Sequence, residues 1–279
     1  MNEFLQFLTE PIALRSLWAC AVIGFANGFV SALVVLRRSS LQIGTISCAL
    51  LPGIALAILL FGFMQLSILI GAVIAGLMVG LGSLFIARSG KADHDTALSI
   101  LHTKAFALGY IILIRLGLQQ KVDDWLFGNI MSMSNTDLWI AWGTGAIAVL
   151  AITVLYRPLL ICLFDPRAAT AMGIPTRAFS YGIFALIILV LVSSLQAVGA
   201  FLTLGLMVAP AATMRLLTDR ASLMFWGGGL IGCCGSVLAF FLSYPLGWHP
   251  GATIIVLQGC IFLTAWLLSP KYGLLRHRS

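Results

Sequence analysis

The sequence has 279 residues, of which 61% are hydrophobic and only 9% are charged. Soluble domains carry roughly 25% charged residues. A mean hydropathy of +1.07 therefore excludes a soluble enzyme and a disordered chain, because neither presents so little polar surface to water. At roughly 20 apolar residues per crossing, the chain holds about nine or ten membrane crossings and no sizeable soluble domain. We expect residues 1–279 to form a single transmembrane domain.

Apolar runs between turn residues and charges predict nine membrane-spanning helices. A backbone in lipid has to satisfy its own hydrogen bonds, so the expected fold class is all-α, a polytopic membrane helical bundle. Several runs are short or contain Gly and Pro, which indicates that some crossings are broken helices. The pairs Gly24/Gly28 and Gly76/Gly80 predict close helix contacts, because small residues let helices approach in lipid. The nine predicted spans are residues 12–36, 41–61, 67–87, 96–116, 138–156, 179–195, 198–217, 223–244 and 252–268.

The basic residues set the expected orientation. Of the 16 Lys and Arg residues, twelve fall in loops on one side of the membrane if the chain alternates through nine spans. Short cytoplasmic loops are rich in Lys and Arg, so we expect the N-terminus outside and the C-terminus in the cytoplasm. The net charge of +7 then orients the chain in the bilayer and does not indicate nucleic-acid binding. The twelve residues are Arg37, Arg38, Arg88, Lys91, Arg157, Arg167, Arg177, Arg215, Arg220, Lys271, Arg276 and Arg278.

The longest cytoplasmic loop, residues 157–178, contains signals for a short helix of its own. Asp165 can cap this helix, Pro166 suits its first position and Gly173 can end it. A short amphipathic helix lying parallel to the membrane suits docking to a partner protein. The alternative interpretation is a simple connector, although long ordered loops are often functional.

Five blocks in chain order resemble those of the ABC-3 family, the zinc and manganese ABC importer permeases. The first block, residues 37–53, ends in Ser47-Cys48-Ala49-Leu50-Leu51-Pro52-Gly53. The likeness extends over nearly the whole chain, and five ordered blocks are far more specific than any one alone. The other four blocks are Leu126-Phe127-Gly128, residues 164–174, residues 198–213 and residues 251–257.

The resemblance implies a type II ABC importer permease fold, related to the vitamin B12 and siderophore importer permeases, in a bacterial cytoplasmic (inner) membrane. In that arrangement two permease subunits, of the same or a sister chain, form the pathway at their interface. An extracytoplasmic metal-binding protein delivers the cargo, and two ATPase subunits dock on the coupling segment 157–178, where Asp165, Arg167 and Gly173 would contact them. This chain has no G-x-x-x-x-G-K-[ST] phosphate loop. We therefore expect a transport subunit without enzymatic activity and without a permanently bound cofactor.

The first block departs from the family pattern at its proposed metal ligands. The family typically places an Asp and a His one helical turn apart, and counting back from Pro52 puts Gly44 and Cys48 at those positions. Gly offers no ligand, whereas the thiolate of Cys48 suits zinc and is disfavoured by manganese. The alternative is that Cys48 is a small packing residue beside Ser47.

Two histidines are further candidate metal ligands. His102 lies within the fourth predicted span, where an ionisable side chain either indicates function or bonds a neighbouring helix. His249, on the outer side, could receive cargo from a binding protein or act as an interfacial loop residue. The gate and pathway are expected around the first and late blocks and at the break between the sixth and seventh spans. The residues assigned to them are Ser47, Pro52, Gly53, Gln196 and Pro210.

These features predict import of a divalent transition metal by alternating access, with zinc first and manganese or iron next. The missing Asp/His pair instead favours a chelated metal or another small cofactor, which needs no metal ligands from the protein. Permeases for such cargo usually carry an extra N-terminal span that this chain lacks, which favours the free metal. A proton-coupled secondary transporter is a further alternative, but all nine Asp and Glu residues map to loops or span ends.

Overall fold

A computed structural model gives the fold of residues 11–62, 64–88, 93–118, 128, 130 and 133–269, which are the residues that the structure describes. Within these ranges the regular structure is helical, so the all-α prediction is confirmed. The helices follow one another in the order α1 (Pro11–Leu36), α2 (Ser40–Ala49), α3 (Leu51–Phe61), α4 (Gln65–Arg88), α5 (His94–Arg115), α6 (Asn135–Val154), α7 (Tyr156–Phe164), α8 (Pro166–Ala171), α9 (Thr176–Val198), α10 (Ala200–Leu217), α11 (Ala221–Leu246) and α12 (Pro250–Leu268).

Eight stretches of the described chain are long and apolar enough to cross a membrane. Seven of them lie in α1, α4, α5, α6, α9, α11 and α12, and the eighth, Gln42–Phe61, joins α2 and α3 in one crossing of 20 residues. The seventh predicted span corresponds to a shorter apolar stretch, Leu202–Leu217, in α10. All nine predicted spans are therefore helical, and one of them is short.

Pro and Gly residues interrupt the second span and separate the sixth span from the seventh. The second span breaks between Ala49 and Leu51, because Pro52 has no backbone N–H to continue the helical hydrogen bonds. Between α9 and α10, Gly199 has φ +85°, a conformation that residues with a Cβ rarely adopt. The new helix starts at once, since the N–H of Thr203 donates to the carbonyl of Gly199 over 3.2 Å.

The helices α1 and α11 cross at glycines. Gly24 and Gly28 face Gly232 and Gly228. A Cβ added at Gly24 would lie 2.5 Å from the carbonyl oxygen of Gly232, so the two backbones are in direct contact. Small residues permit this approach where lipid gives helices little hydrophobic incentive to associate. The close contact predicted at Gly24/Gly28 is confirmed.

The second predicted pair of small residues lies on α4. A Cβ at Gly76 would meet the side chains of Leu50 at 2.7 Å and Ile188 at 3.0 Å. Gly80 lies against the ring of Phe184. The helix α4 therefore packs closely against α9 and against the break of the second span, as predicted.

Hydrogen bonds join the helix ends at both ends of the bundle. At one end, the guanidinium of Arg37 bonds Ser180 at the start of α9. At the other end, Arg15 donates to the carbonyl of Met133, just before α6. We call the end that contains Arg37 the basic end. The C-terminal ends of α10 and α12 also lie there. This grouping agrees with the alternation of nine spans that the basic residues predict.

Candidate functional site

The end of α2 carries two of the predicted site residues. The hydroxyl of Ser47 is buried and donates to the carbonyl of Ile43, 2.9 Å away, so it is bonded within its own helix. Cys48 is partly exposed and its thiol is free. Cys48 is therefore the more accessible of the two side chains.

His102 on α5 packs against α2 at the turn where this chain has Gly44 in place of the acidic residue of the family pattern. The imidazole hydrogen-bonds the backbone of Thr45, the residue that follows Gly44. Its Nδ1 atom is buried and has no hydrogen-bond partner in the described part of the chain. A neutral imidazole bonded through one nitrogen keeps a lone pair on the other, which is a potential metal ligand. The structure thus places His102 of α5 beside the Gly44–Cys48 turn of α2.

Pro52 and Gly53 lie where α3 packs between two neighbouring helices. Gly53 is in backbone contact with Gly71 on α4. On the other side, a Cβ added at Gly109 of α5 would lie 2.5 Å from the backbone nitrogen of Pro52. The structure accounts for both residues through close helix packing at the break of the second span.

An apolar groove of about 630 Å³ runs along α3, α4 and α5 beside this contact. Pro52 and Gly53 form part of its wall, together with exposed side chains such as Leu60 and Met78. None of the described residues that line this groove is acidic or basic. Its chemistry is that of a lipid-facing or helix-facing surface rather than that of an ion site.

Pro210 and Gln196 lie in the helices that flank the break at Gly199. Pro210 is buried inside α10. The next backbone N–H, of Ala211, donates to the hydroxyl of Ser31 on α1 over 3.1 Å. Gln196 lies in the last turn of α9, and its side chain is outside the described residues.

The short helix predicted in the loop 157–178 is present as α8. The Oδ1 atom of Asp165 accepts hydrogen bonds from the N–H groups of Arg167 at 3.1 Å and Ala168 at 2.9 Å. At the other end Gly173 has φ +76°, and the N–H of Ile174 returns to the carbonyl of Ala169 over 3.0 Å. These bonds form the N-cap and the glycine C-cap that the sequence predicts.

The outer surface of α8 is exposed at the basic end. Asp165 and Arg167 are exposed, and the apolar side chains of Phe164 and Met172 are 65% and 67% exposed. Ala169 is fully buried and anchors the opposite side of the helix. The predicted coupling residues therefore share one accessible surface, which we call the α8 surface.

His249 lies apart from the membrane-embedded candidates. It is exposed, and its carbonyl accepts a hydrogen bond from the N–H of Thr253 in the first turn of α12. Among the residues that the structure describes, no three His, Cys, Asp or Glu side chains come together in a way that could hold a metal ion. The structure does not assemble Cys48, His102 and His249 into one site.

Comparison with known proteins identifies the architecture. The sequence profile of the ABC 3 transport family matches residues 9–269. The chain belongs to this family.

Similar proteins match the permease over almost its whole length. It is 35% identical to the manganese transport system membrane protein MntC of Halalkalibacterium halodurans, over 98% of this chain and 92% of that protein. It is 32% identical to the manganese import system permease protein ScaB of Streptococcus gordonii, over 100% and 99%. The chelated iron transport system membrane protein YfeD of Yersinia pestis is 28% identical, over 95% and 89%. The solved structure of PsaBC from Streptococcus pneumoniae in complex with Fab matches with a TM-score of 0.89 and 31% identity, over 100% and 99%.

Family membership makes the permease a multi-pass membrane subunit of an ABC metal importer. It is a transport component and not an enzyme, and ATP hydrolysis belongs to a separate ATPase subunit. The solved match confirms the predicted importer permease fold.

The permease also contains buried polar contacts that its sequence did not predict. The side-chain amide of Asn27 on α1 donates to Ser194 on α9 over 2.7 Å, and its Oδ1 atom is buried without a partner in the described chain. On the other side of α9, Thr144 of α6 and Ser193 bond at 2.8 Å. The sequence does contain a signal for these contacts, namely uncharged polar residues inside apolar runs. Such residues form hydrogen bonds between helices in lipid.

Proposed function

We propose that the permease imports a free divalent transition metal by alternating access, with manganese as the first candidate cargo. The observation that supports this most strongly is the likeness over the whole chain to MntC and ScaB, both named for manganese, at 35% and 32% identity. These names do not specifically support zinc, which is the first metal expected from the sequence.

The proposed cargo contact is the junction of α2 and α5. His102 supplies a buried imidazole nitrogen there, and Cys48 lies one turn beyond Gly44 on the adjoining helix. Manganese prefers oxygen ligands, so we propose that backbone carbonyls at the break before Pro52 share the transient coordination. His102 is the side chain on which this proposal depends.

The α8 surface is the proposed contact with the ATPase. Its capped helix is locally rigid, and it presents Asp165 and Arg167 with two exposed apolar side chains, Phe164 and Met172. A rigid helix joined to α7 and α9 can transmit a movement of the ATPase to the helical bundle. We propose that Gly173 serves here by allowing the tight turn that ends the helix.

The proposed orientation puts the basic end in the cytoplasm of a bacterial inner membrane, with the N-terminus outside. The excess of Lys and Arg in the loops of that end supports this assignment. We propose that residues 1–279 act as one transmembrane unit, paired with a second permease chain and supplied by an extracytoplasmic metal-binding protein. The gate is proposed at the breaks before Pro52 and between Gln196 and Pro210.

Uptake measurements test the cargo. Cells lacking their own importers would express the permease with its ATPase and binding protein, and metal content would be measured under manganese, zinc and iron limitation separately. We expect ATP-dependent accumulation of manganese. Accumulation of zinc without manganese would overturn the choice of metal, and accumulation of none of the three would overturn free-metal import.

A chelated metal is the second candidate cargo, because two observations favour it. Gly44 offers no ligand where the family pattern has a carboxylate. YfeD, named for chelated iron transport, matches 95% of the chain. Uptake of iron only when a chelator is supplied would support this alternative.

A further inference from the structure

A small polar cavity lies at the basic end, between α1, α7 and α9. Its volume is about 170 Å³, and it is lined by Arg37, Cys162, Leu163, Thr176, Ser180 and Ile183. Cys162 and Leu163 come just before α8, and Thr176 follows it. The cavity therefore touches both chain segments that hold α8 in place.

Arg37 supplies the charge of this cavity. Its guanidinium donates to the carbonyl and the hydroxyl of Ser180 at 3.3 and 3.2 Å, and it lies 5.4 Å from the ring centre of Phe184. These bonds use two of the five N–H donors of an arginine. Among the described residues, no acidic side chain pairs with Arg37.

No carboxylate in the described ranges of the chain offsets this positive charge. Burial removes water from the guanidinium and lowers the pKa of Arg37 below its usual value. Desolvation raises the pKa of the Cys162 thiol, so this neighbour supplies no negative charge. A partly buried cation without a counter-ion is unfavourable, which indicates that the cavity accepts an anion.

The start of α9 adds a second attraction for anions. Thr176 is the first residue of this 23-residue helix, and its N–H donates to the carbonyl of Ile174 over 2.8 Å. The preceding Pro175 provides no side-chain cap for the N–H groups that follow. Uncapped N–H groups and the helix dipole together favour negative charge at a helix N-terminus. Thr176 lines the cavity, so the helix start and the guanidinium of Arg37 act on the same space.

The depth of the cavity indicates which anion it meets. Arg37 directly follows the crossing Ala13–Leu36, and Thr176 begins the crossing Thr176–Leu195. Both residues therefore lie at the boundary between hydrocarbon and water, where the phosphates of lipid headgroups are found. The planar fork of an arginine binds phosphate through two parallel hydrogen bonds.

We infer that this cavity binds a phosphate group, held by Arg37 and the start of α9. The phosphate comes either from a lipid headgroup in the leaflet at the basic end or from free inorganic phosphate. Bound there, it links α1 to the two segments that flank α8. The anion thus stabilises the position of the α8 surface, whichever metal the permease carries.

Thermal unfolding of the purified full chain tests this inference. The protein would be held in maltoside micelles, which contain no phosphate, and followed by circular dichroism. One arm adds inorganic phosphate against chloride at equal ionic strength. The other adds phosphatidylglycerol against diacylglycerol with the same acyl chains. We expect at least one phosphate source to raise the Tm by about 3 °C or more, because a ligand that binds only the folded state stabilises it.

Variants of Arg37 and Arg177 distinguish binding in this cavity from a general effect of surface charge. Arg37→Gln should abolish the rise in Tm, and Arg37→Lys, which keeps the charge without the fork, should reduce it. The matched control is Arg177→Gln, an exposed arginine beside Thr176 that does not line the cavity; it should respond like the wild type.

A response to phosphatidylglycerol alone identifies the lipid as the source, and a response to inorganic phosphate alone identifies the free anion. No rise in the wild type with either probe overturns the inference. An equal loss in Arg177→Gln and Arg37→Gln also overturns it, because each variant removes one positive charge and equality shows a diffuse electrostatic effect.

Discussion

The hydroxyl of Ser31 on α1 accepts a hydrogen bond from the backbone N–H of Ala211 on α10, at 3.1 Å and immediately after Pro210. The same hydroxyl donates to the carbonyl of Gly28. Ser31 therefore joins α1 to α10, the helix that contains Pro210, and its side chain is fully buried. The bond offers a direct test of the packing around the proposed gate.

Ser31→Ala should lower the free energy of unfolding by about 1 kcal/mol, because it removes the hydrogen bond between the Ser31 hydroxyl and the N–H of Ala211 in an apolar environment. Thermal unfolding in micelles measures this loss. The control is Ser222→Ala at an exposed position of α11, which should leave the Tm unchanged. Equal Tm values for the two variants would show that the Ser31 contact contributes nothing.

Gly28→Ala should disrupt the crossing of α1 and α11, because the new Cβ would overlap the carbonyl oxygen of Gly228. We expect a loss of about 2 kcal/mol or more, as for other overpacked interiors. Gly143→Ala on α6 is the matched control, since an added Cβ there meets nothing within 4 Å. Size-exclusion profiles and unfolding curves report both effects, and a wild-type profile for Gly28→Ala would contradict the crossing.

His102→Gln should reduce metal uptake about tenfold or more, the scale on which groups that support metal coordination act. The chain should still insert, because the side chain is only half-buried. Uptake of manganese by cells that express the complete transporter measures the effect. Tyr110→Phe, at an exposed position of the same helix, is the control. Wild-type uptake by His102→Gln would remove this residue from the pathway.

Asp165→Ala should uncouple ATP hydrolysis from transport, because it removes the acceptor for the N–H groups of Arg167 and Ala168 and loosens the start of α8. Asp165→Asn keeps an acceptor oxygen and should transport well. The ratio of metal uptake to ATP hydrolysis, measured on the same reconstituted transporter, reports the coupling. Asp93→Ala, at an exposed position before α5 where the side chain makes no cap hydrogen bond, serves as the control. An unchanged ratio in Asp165→Ala would mean that α8 is only a connector.

Local signals in the sequence were sufficient for α8 and for the interruption of the second span. Asp165, Pro166 and Gly173 act on backbone groups within a few residues of themselves, so their effect does not depend on the rest of the fold. Pro52 breaks the second span for the same reason, because its missing N–H affects only its own helix. The number of crossings followed from length and hydropathy, since lipid thickness fixes how many apolar residues a helix needs.

The sequence alone determined that this chain is a bundle of membrane-spanning helices with a capped helix between its fifth and sixth spans. Only the tertiary structure decided that Gly28 meets Gly228, that His102 contacts Thr45 and that Asn27 bonds Ser194. These partners are distant in the chain. Helices in lipid are apolar on every side, so no hydrophobic face indicates which neighbour each one will meet.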